Sequence, residues 1–292
     1  MARLPPELEH EIFRTTAVLH RRHIPTLLLV ARRVHSWSAF PASASTNTPL
    51  IIARIEPLLY QSIYLGNARQ FTAIQTLIPL RPPAFWAAAV RHVHIAFSRG
   101  GFYNPTEDNQ ILSLCTGVER LALSSARANP GIFPILATLS IKRFGGRITH
   151  LFQAPSPPLA MDGRHSAFRA LTHLEPFDAI DKRMITFLCA LPELTHLATG
   201  TWLQQPEMQQ LFEGCEKLRV FVYLGRFSAG GSGFIGNYAD IHDRVFDPRF
   251  VICGYESWDE AAWPDGRESY WTKAERLLAR KARGEAKGLW AK

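Results

Sequence analysis

The chain has 292 residues, 47% of them hydrophobic and 20% charged, which excludes a disordered polyelectrolyte and leaves room for one large domain or two ordinary ones. Its net charge of +8 and pI near 9.6 come without zinc-finger spacing, a recognition-helix pattern or aromatic–basic interleaving, so the excess charge points to acidic protein partners ahead of nucleic acid. No apolar run reaches the roughly 18 residues of a membrane-crossing helix, and Met1–Pro6 carries no apolar signal core, so a cytoplasmic or nuclear chain is expected.

The first element is Leu4-Pro5-Pro6-Glu7-Leu8-Glu9-His10-Glu11-Ile12-Phe13. Pro5 and Pro6 suit a helix's first turn, where a missing N–H costs nothing and φ is preset. Glu7, Glu9 and Glu11 meet the positive end of the helix dipole, and Leu8 and Ile12 share one face. A second helix starts at Pro25, with Leu27, Val30, Val34 and Trp37 stepping by three or four and Arg32 and Arg33 on its other side. Ile55-Glu56-Pro57-Leu58-Leu59-Tyr60 is a third short apolar element. None of the three is long enough to stand alone in water, so they are expected to pack together.

This stretch resembles an F-box, on Leu4-Pro5-Pro6-Glu7-Leu8, Ile12-Phe13 and Val30-Ala31-Arg32-Arg33, and the whole run is similar to a large set of fungal F-box-like proteins. The resemblance implies a helical unit that docks on a Skp-type adaptor of a cullin–RING ubiquitin ligase, while the rest of the chain holds a target protein. It makes Leu4, Pro5, Leu8, Ile12, Leu27 and Val34 the adaptor-binding residues. Two features depart from the pattern. Val34 stands where many F-boxes carry tryptophan, and Ser38–Arg54, dominated by Ser, Ala, Thr and Pro, separates the second element from the third. That segment reads either as a dispensable surface insertion or as an unspliced intron left in frame.

After a connector with Pro79, Pro82 and Pro83 comes a short apolar run, Phe85–Val90, and then a repeat. The spacing apolar-x-x-apolar-x-x-apolar-x-apolar recurs at Cys115/Val118/Leu121/Leu123, Leu191/Leu194/Leu197 and Cys215/Leu218/Phe221/Tyr223. Leu171-Thr172-His173-Leu174 and Leu194-Thr195-His196-Leu197 are near copies, Ile148-Thr149-His150-Leu151 repeats the spelling upstream with no strand-like continuation after it, and Val90–Ile95 fits as an earlier copy. Repeats of 20–29 residues with this spacing are the signature of leucine-rich repeats, each giving a strand and a helix that bury a shared core by stacking. Helices are expected over Asp181–Ala190 and Glu207–Glu213; an irregular α/β domain on one curved sheet is the rival architecture.

Gly231-Ser232-Gly233-Phe234-Ile235-Gly236 spells G-x-G-x-x-G, but it begins several residues after the strand-like run Leu218–Leu224 and opens no helix, so Gly225–Gly236 reads as an inter-repeat loop. Asp247–Tyr255 is expected to give a last strand and Gly266–Gly284 a helix closing the end of the solenoid, with Trp271, Ala274, Leu277, Leu278 and Ala282 on its apolar face. Its run of Arg276, Arg280, Lys281 and Arg283 reads as a solvated face ahead of a nuclear address. The four cysteines form no C-x-x-C pair, and Cys115 and Cys215 read as small buried hydrophobes.

The sequence has no H-E-x-x-H, P-loop, G-x-S-x-G or paired-carboxylate motif, so no catalytic residue, cofactor or metal is assigned and an enzyme is the weakest reading. His173 and His196, on adjacent strands, lack the third ligand a shared metal needs. The fold class expected is α/β. An F-box-like helical unit (1–65, with the 38–54 insertion) precedes an irregular leucine-rich-repeat-like solenoid, a curved sheet with outer helices (66–246), and a cap with a basic helix (247–292). With Val93, Leu121, Leu174, Leu197 and Phe221 turned inward, alternation turns His92, His94, Arg120, His173, Glu175, His196, Val220 and Val222 outward. The ladder of His92, His94, Arg120, His173, Glu175 and His196 is the expected target-binding surface, with binding that tightens as pH falls through about 6.5. Two functions remain: a substrate receptor for a Skp–cullin–RING ligase, or an interaction scaffold whose N-terminal helices only cap the solenoid.

Overall fold

The computed structural model describes residues 11, 15, 56–96, 105–124, 128–129, 131–153, 160–226, 247–255 and 268–291. Apart from Glu11 and Thr15, both helical, description begins at residue 56, so the adaptor-binding set Leu4, Pro5, Leu8, Ile12, Leu27 and Val34 and the 38–54 insertion lie outside the described residues.

Residues 56–60 are helical and lead into strand β1 (Ser62–Leu65). Then follow α1 (Ala68–Leu77), α2 (Pro83–Ala89), β2 (His92–Ile95), α3 (Pro105–Leu114), β3 (Arg120–Leu123), α4 (Ile132–Thr138), β4 (Arg143–Gly146) and α5 (Thr149–Phe152). The second half runs β5 (His173–Pro176), α6 (Lys182–Cys189), β6 (His196–Thr199), α7 (Gln205–Gly214), β7 (Val220–Arg226), β8 (Phe250–Tyr255), α8 (Tyr270–Ala282) and β9 (Trp290–Ala291). Among the described residues the nine strands form one sheet in the order β1 to β9, every neighbouring pair parallel. Sequential parallel strands joined by crossing segments, each contacting only its neighbours, are the arrangement of a solenoid, here leucine-rich-repeat-like. The sheet takes in residues 62–65, ahead of the boundary expected at residue 66.

Register follows the repeat. Ile63, Val93, Leu121, Phe144, Leu174, Leu197, Phe221 and Phe250 occupy one row, all buried on the face covered by α1 to α7. Helix positions are set locally. Asp181 caps α6 by accepting from the Met184 N–H at 2.8 Å, which points Met184, Ile185, Phe187 and Leu188 at the sheet. Glu207 accepts from the Gln204 N–H at 2.9 Å, the return half of a capping box that starts α7. Between the helices a file of phenylalanines crosses successive repeats: Phe133–Phe152 at 5.0 Å, Phe152–Phe187 at 6.0 Å and Phe187–Phe168 at 5.2 Å.

Two expectations are corrected here. Ile148–Leu151 is not a strand copy: Thr149–Phe152 is helical, and the repeat's strand is β4, upstream at Arg143–Gly146. Its last core position is Gly146 because φ there is +155° and a Cβ would meet the Leu123 carbonyl oxygen at 2.8 Å. The pattern is broken at the position where leucine is excluded. The second correction concerns α8. It forms as expected, but it does not close the solenoid's end. Tyr270, Trp271, Ala274 and Leu277 pack on Ala198, Val220, Val222, Leu224, Val251 and Cys253, which belong to the sheet face opposite α1–α7. Val220 and Val222 are therefore buried, and β9 follows α8 as the outermost described strand.

Candidate functional site

Alternation places two rows on the face opposite α1–α7. The first runs Ser62, His92, Arg120, Arg143, His173, His196, Val220; the second runs Tyr64, His94, Ala122, Gly145, Glu175 on β1 to β5. The expected ladder is thus real in register, and it gains Arg143, which sequence reading missed together with its strand.

Helix α8 divides this face. Over β6–β8 it covers the sheet; over β1–β4, among the described residues, the face is left to the rows themselves. Three of the six expected target contacts are buried. Glu175 is 5% exposed and accepts a hydrogen bond from the Tyr270 hydroxyl at 2.7 Å. His196 is 8% exposed, its Nε2 lying 3.1 Å from Glu275 Oε1 on α8. His94 is 3% exposed, edge-on to Tyr64 at 4.9 Å and 3.1 Å from the Ser124 hydroxyl through Nε2. His92, Arg120 and His173 are half-buried, and Tyr64 is exposed.

The Thr-His copies build one motif twice. His173 and His196, paired in register, stack at 4.0 Å with their rings 4° apart. The preceding threonine holds each ring, Thr172 Oγ1 2.9 Å from His173 Nδ1 and Thr195 Oγ1 2.8 Å from His196 Nδ1. Trp271 stands edge-on to both, at 5.1 Å and 5.7 Å. Stacked rings with engaged Nδ1 atoms present faces to each other, not converging lone pairs to an ion. Among the described residues no group of three His, Cys, Asp or Glu side chains is placed to hold a metal.

Burial decides the protonation of this pair. Desolvation, then the positive charges of His196, Arg143 and Arg120, pushes His173 down to about 2. Burial also pushes His196 down, against the opposing pull of the Glu275 carboxylate. His173 is therefore held uncharged near pH 6.5, so it does not contribute to the tightening of binding expected there.

Beside the first turn of α8, a notch of about 30 Å³ opens, lined among others by Arg120, Ala122, Arg143, Gly145, His173 and Trp271. Its floor is low because Ala122 and Gly145 sit between larger residues in the same row, with Tyr64 and His94 on one side and Glu175 on the other. Register sets Arg120 opposite Arg143, a like-charge pair that neighbouring strands rarely favour. Burial pulls Arg143 below the usual arginine range, while Glu275 and Tyr270 pull it back up.

The cysteines sit in the core as expected for Cys115 and Cys215. Burial pushes the Cys115 thiol up to about 12, and Cys215 Sγ lies 3.5 Å from Cys189 Sγ in the adjacent repeat, its pKa also raised by burial.

The sequence matches no family model, and no curated protein matches it. Among solved structures it is similar to the crystal structure of a TLR13–ssRNA13 complex, at 13% identity and a TM-score of 0.35. That likeness covers 57% of this chain and 23% of that one, so this chain spans about a quarter of the other protein's length.

Proposed function

We propose that the chain is a non-enzymatic protein-interaction subunit, and more specifically an F-box-like substrate receptor. In this reading Leu4, Pro5, Leu8, Ile12, Leu27 and Val34 hold a Skp-type adaptor, and the face of β1–β4 beside α8 holds a target for a cullin–RING ligase. The observation that carries the interaction reading is the sheet itself: parallel strands in sequence order, with a register-aligned row of polar and basic side chains on the face away from α1–α7. Solenoids use such rows for extended binding surfaces. The adaptor half rests on the sequence alone, on Leu4–Leu8, Ile12–Phe13 and Val30–Arg33.

The test uses co-expressed full-length chain and Skp-type adaptor. Buried apolar anchors dominate interfaces of this kind, each worth on the order of 1–3 kcal/mol, so Leu8→Asp with Ile12→Asp is expected to abolish co-purification. Undiminished recovery of the adaptor with the double variant rejects the receptor reading. An adaptor that never binds the wild-type chain leaves the second reading, a scaffold without adaptor.

A further inference from the structure

The notch at the edge of α8 has one donor group, the Arg143 guanidinium, that the described residues do not hydrogen-bond, although it is half-buried and lines the notch. Glu175 accepts from the Tyr270 hydroxyl, and Glu275, which meets His196, reaches Arg143 only through its charge. Arg120 stands opposite in register and adds a second positive charge. Trp271 and Tyr270 form one wall, an apolar surface for the stem of an entering side chain.

We propose that this notch is a carboxylate-binding subsite, in which Arg143 takes the side-chain carboxylate of a Glu or Asp presented by an extended segment of a partner protein. A planar guanidinium offers parallel N–H donors that match a carboxylate in a bidentate fork. The single charge of a carboxylate suits the place better than the near-double charge of a phosphate, because Glu175 lines the notch and Glu275 acts electrostatically on Arg143. The small floor at Ala122 and Gly145 lets the head group reach the arginine between the flanking side chains. This subsite rests on the reading of the sheet as a protein-interaction face and supplies the chemistry of one contact on it.

The probe is a fluorescein-labelled octaglutamate peptide titrated into the purified full-length chain, with octaglutamine and a phosphoserine-containing peptide of matched length beside it. Because the chain is basic overall, a second arginine serves as the charge control. Arg183, exposed on α6 on the helical side, loses the same charge as Arg143 when each is changed to glutamine. Arg143→Gln is expected to weaken octaglutamate binding about tenfold, the loss of a charge-assisted bidentate contact, while Arg183→Gln leaves it nearly unchanged. Arg143→Lys, which keeps the charge and loses the fork, falls between. Ala122→Leu, filling the notch without altering charge, matches Arg143→Gln; melting curves exclude an unfolded variant, and the Trp271 indole N–H shift on peptide addition reports the notch directly in the wild type. Equal losses from Arg143→Gln and Arg183→Gln, no octaglutamate binding, or no Trp271 shift overturns the proposal. Tighter, Arg143-dependent binding of the phosphoserine peptide replaces the carboxylate by a phosphate. If the adaptor co-purifies while octaglutamate fails to bind, the subsite alone falls; if octaglutamate binds through Arg143 and no adaptor does, the adaptor assignment alone falls.

Discussion

Replacing Trp271 by alanine is expected to destabilise the protein by about 3–5 kcal/mol, the usual cost of deleting a buried aromatic ring. The indole is 6% exposed, touches the His173–His196 stack edge-on and helps α8 cover Val220, Val222 and Val251. Its loss removes the main apolar anchor at the start of α8. The destabilisation is expected to be local first, loosening α8 from the sheet before the repeats separate. A second readout follows from the same geometry. Burial is the largest cause of the low pKa of His173, so opening the wall is expected to raise that pKa toward the ordinary value of about 6.5. Thermal melting and an NMR pH titration of the His173 ring check both effects; an unchanged melting curve together with a ring that still fails to titrate above pH 4 contradicts this packing.

Asp108 sets the second large effect. It lies in the first turn of α3, 2% exposed, and its Oδ1 has no hydrogen-bond partner among the described residues. Burial, and next the neighbouring Glu107, pushes its carboxyl up to about 7. The folded state therefore holds this proton more tightly than the unfolded chain, where an aspartate titrates near 3.9. Stability from this group is present in full below about pH 4 and is lost as pH rises through about 7, the loss reaching about 4 kcal/mol at most above pH 8. Asp108→Asn cannot ionise, so it is expected to raise the melting temperature at pH 8 by several degrees and to leave it almost unchanged at pH 4.5. A variant that melts with the wild type's pH dependence shows that another group carries it.

How much of this was legible in the chain depends on which side of each strand is considered. The inward rows were readable because stacking requires the same apolar residues at the same spacing: Cys115/Val118/Leu121/Leu123 and the paired Thr-His-Leu copies fall where the register puts them. Helices α6 and α7 followed from Asp181 and Glu207, since caps are local chemistry. Strand β4 was hidden because backbone geometry, not packing, chose Gly146, and with it went Arg143, the residue on which the notch turns. The opposite face was harder, since which helix covers it is a tertiary fact. One signal was present and unused. Val220-Phe221-Val222-Tyr223-Leu224 and Phe250-Val251-Ile252-Cys253 are apolar at successive positions, so both faces of those strands need cover, and only one face can meet α7. An amphipathic helix with Trp271, Ala274 and Leu277 was the available cover. The histidines misled for a related reason: their spacing was right, but α8 turned His196 from a contact for a partner into a contact with Glu275, and Glu175 into one with Tyr270.

Helix α8 holds the β6–β8 part of one face of the sheet, and the proposed partner binds the β2–β4 part of that face. Amide hydrogen exchange followed by mass spectrometry on the full-length chain tests that division most directly. Peptides from Tyr270–Ala282 are expected to exchange as slowly as those from Val220–Arg226 and Phe250–Tyr255, and octaglutamate is expected to slow exchange across Arg120–Leu123 and Arg143–Gly146 with little change in β7 and β8. Fast, solvent-like exchange throughout Tyr270–Ala282, or a peptide footprint on β7 and β8 in place of β3 and β4, contradicts it.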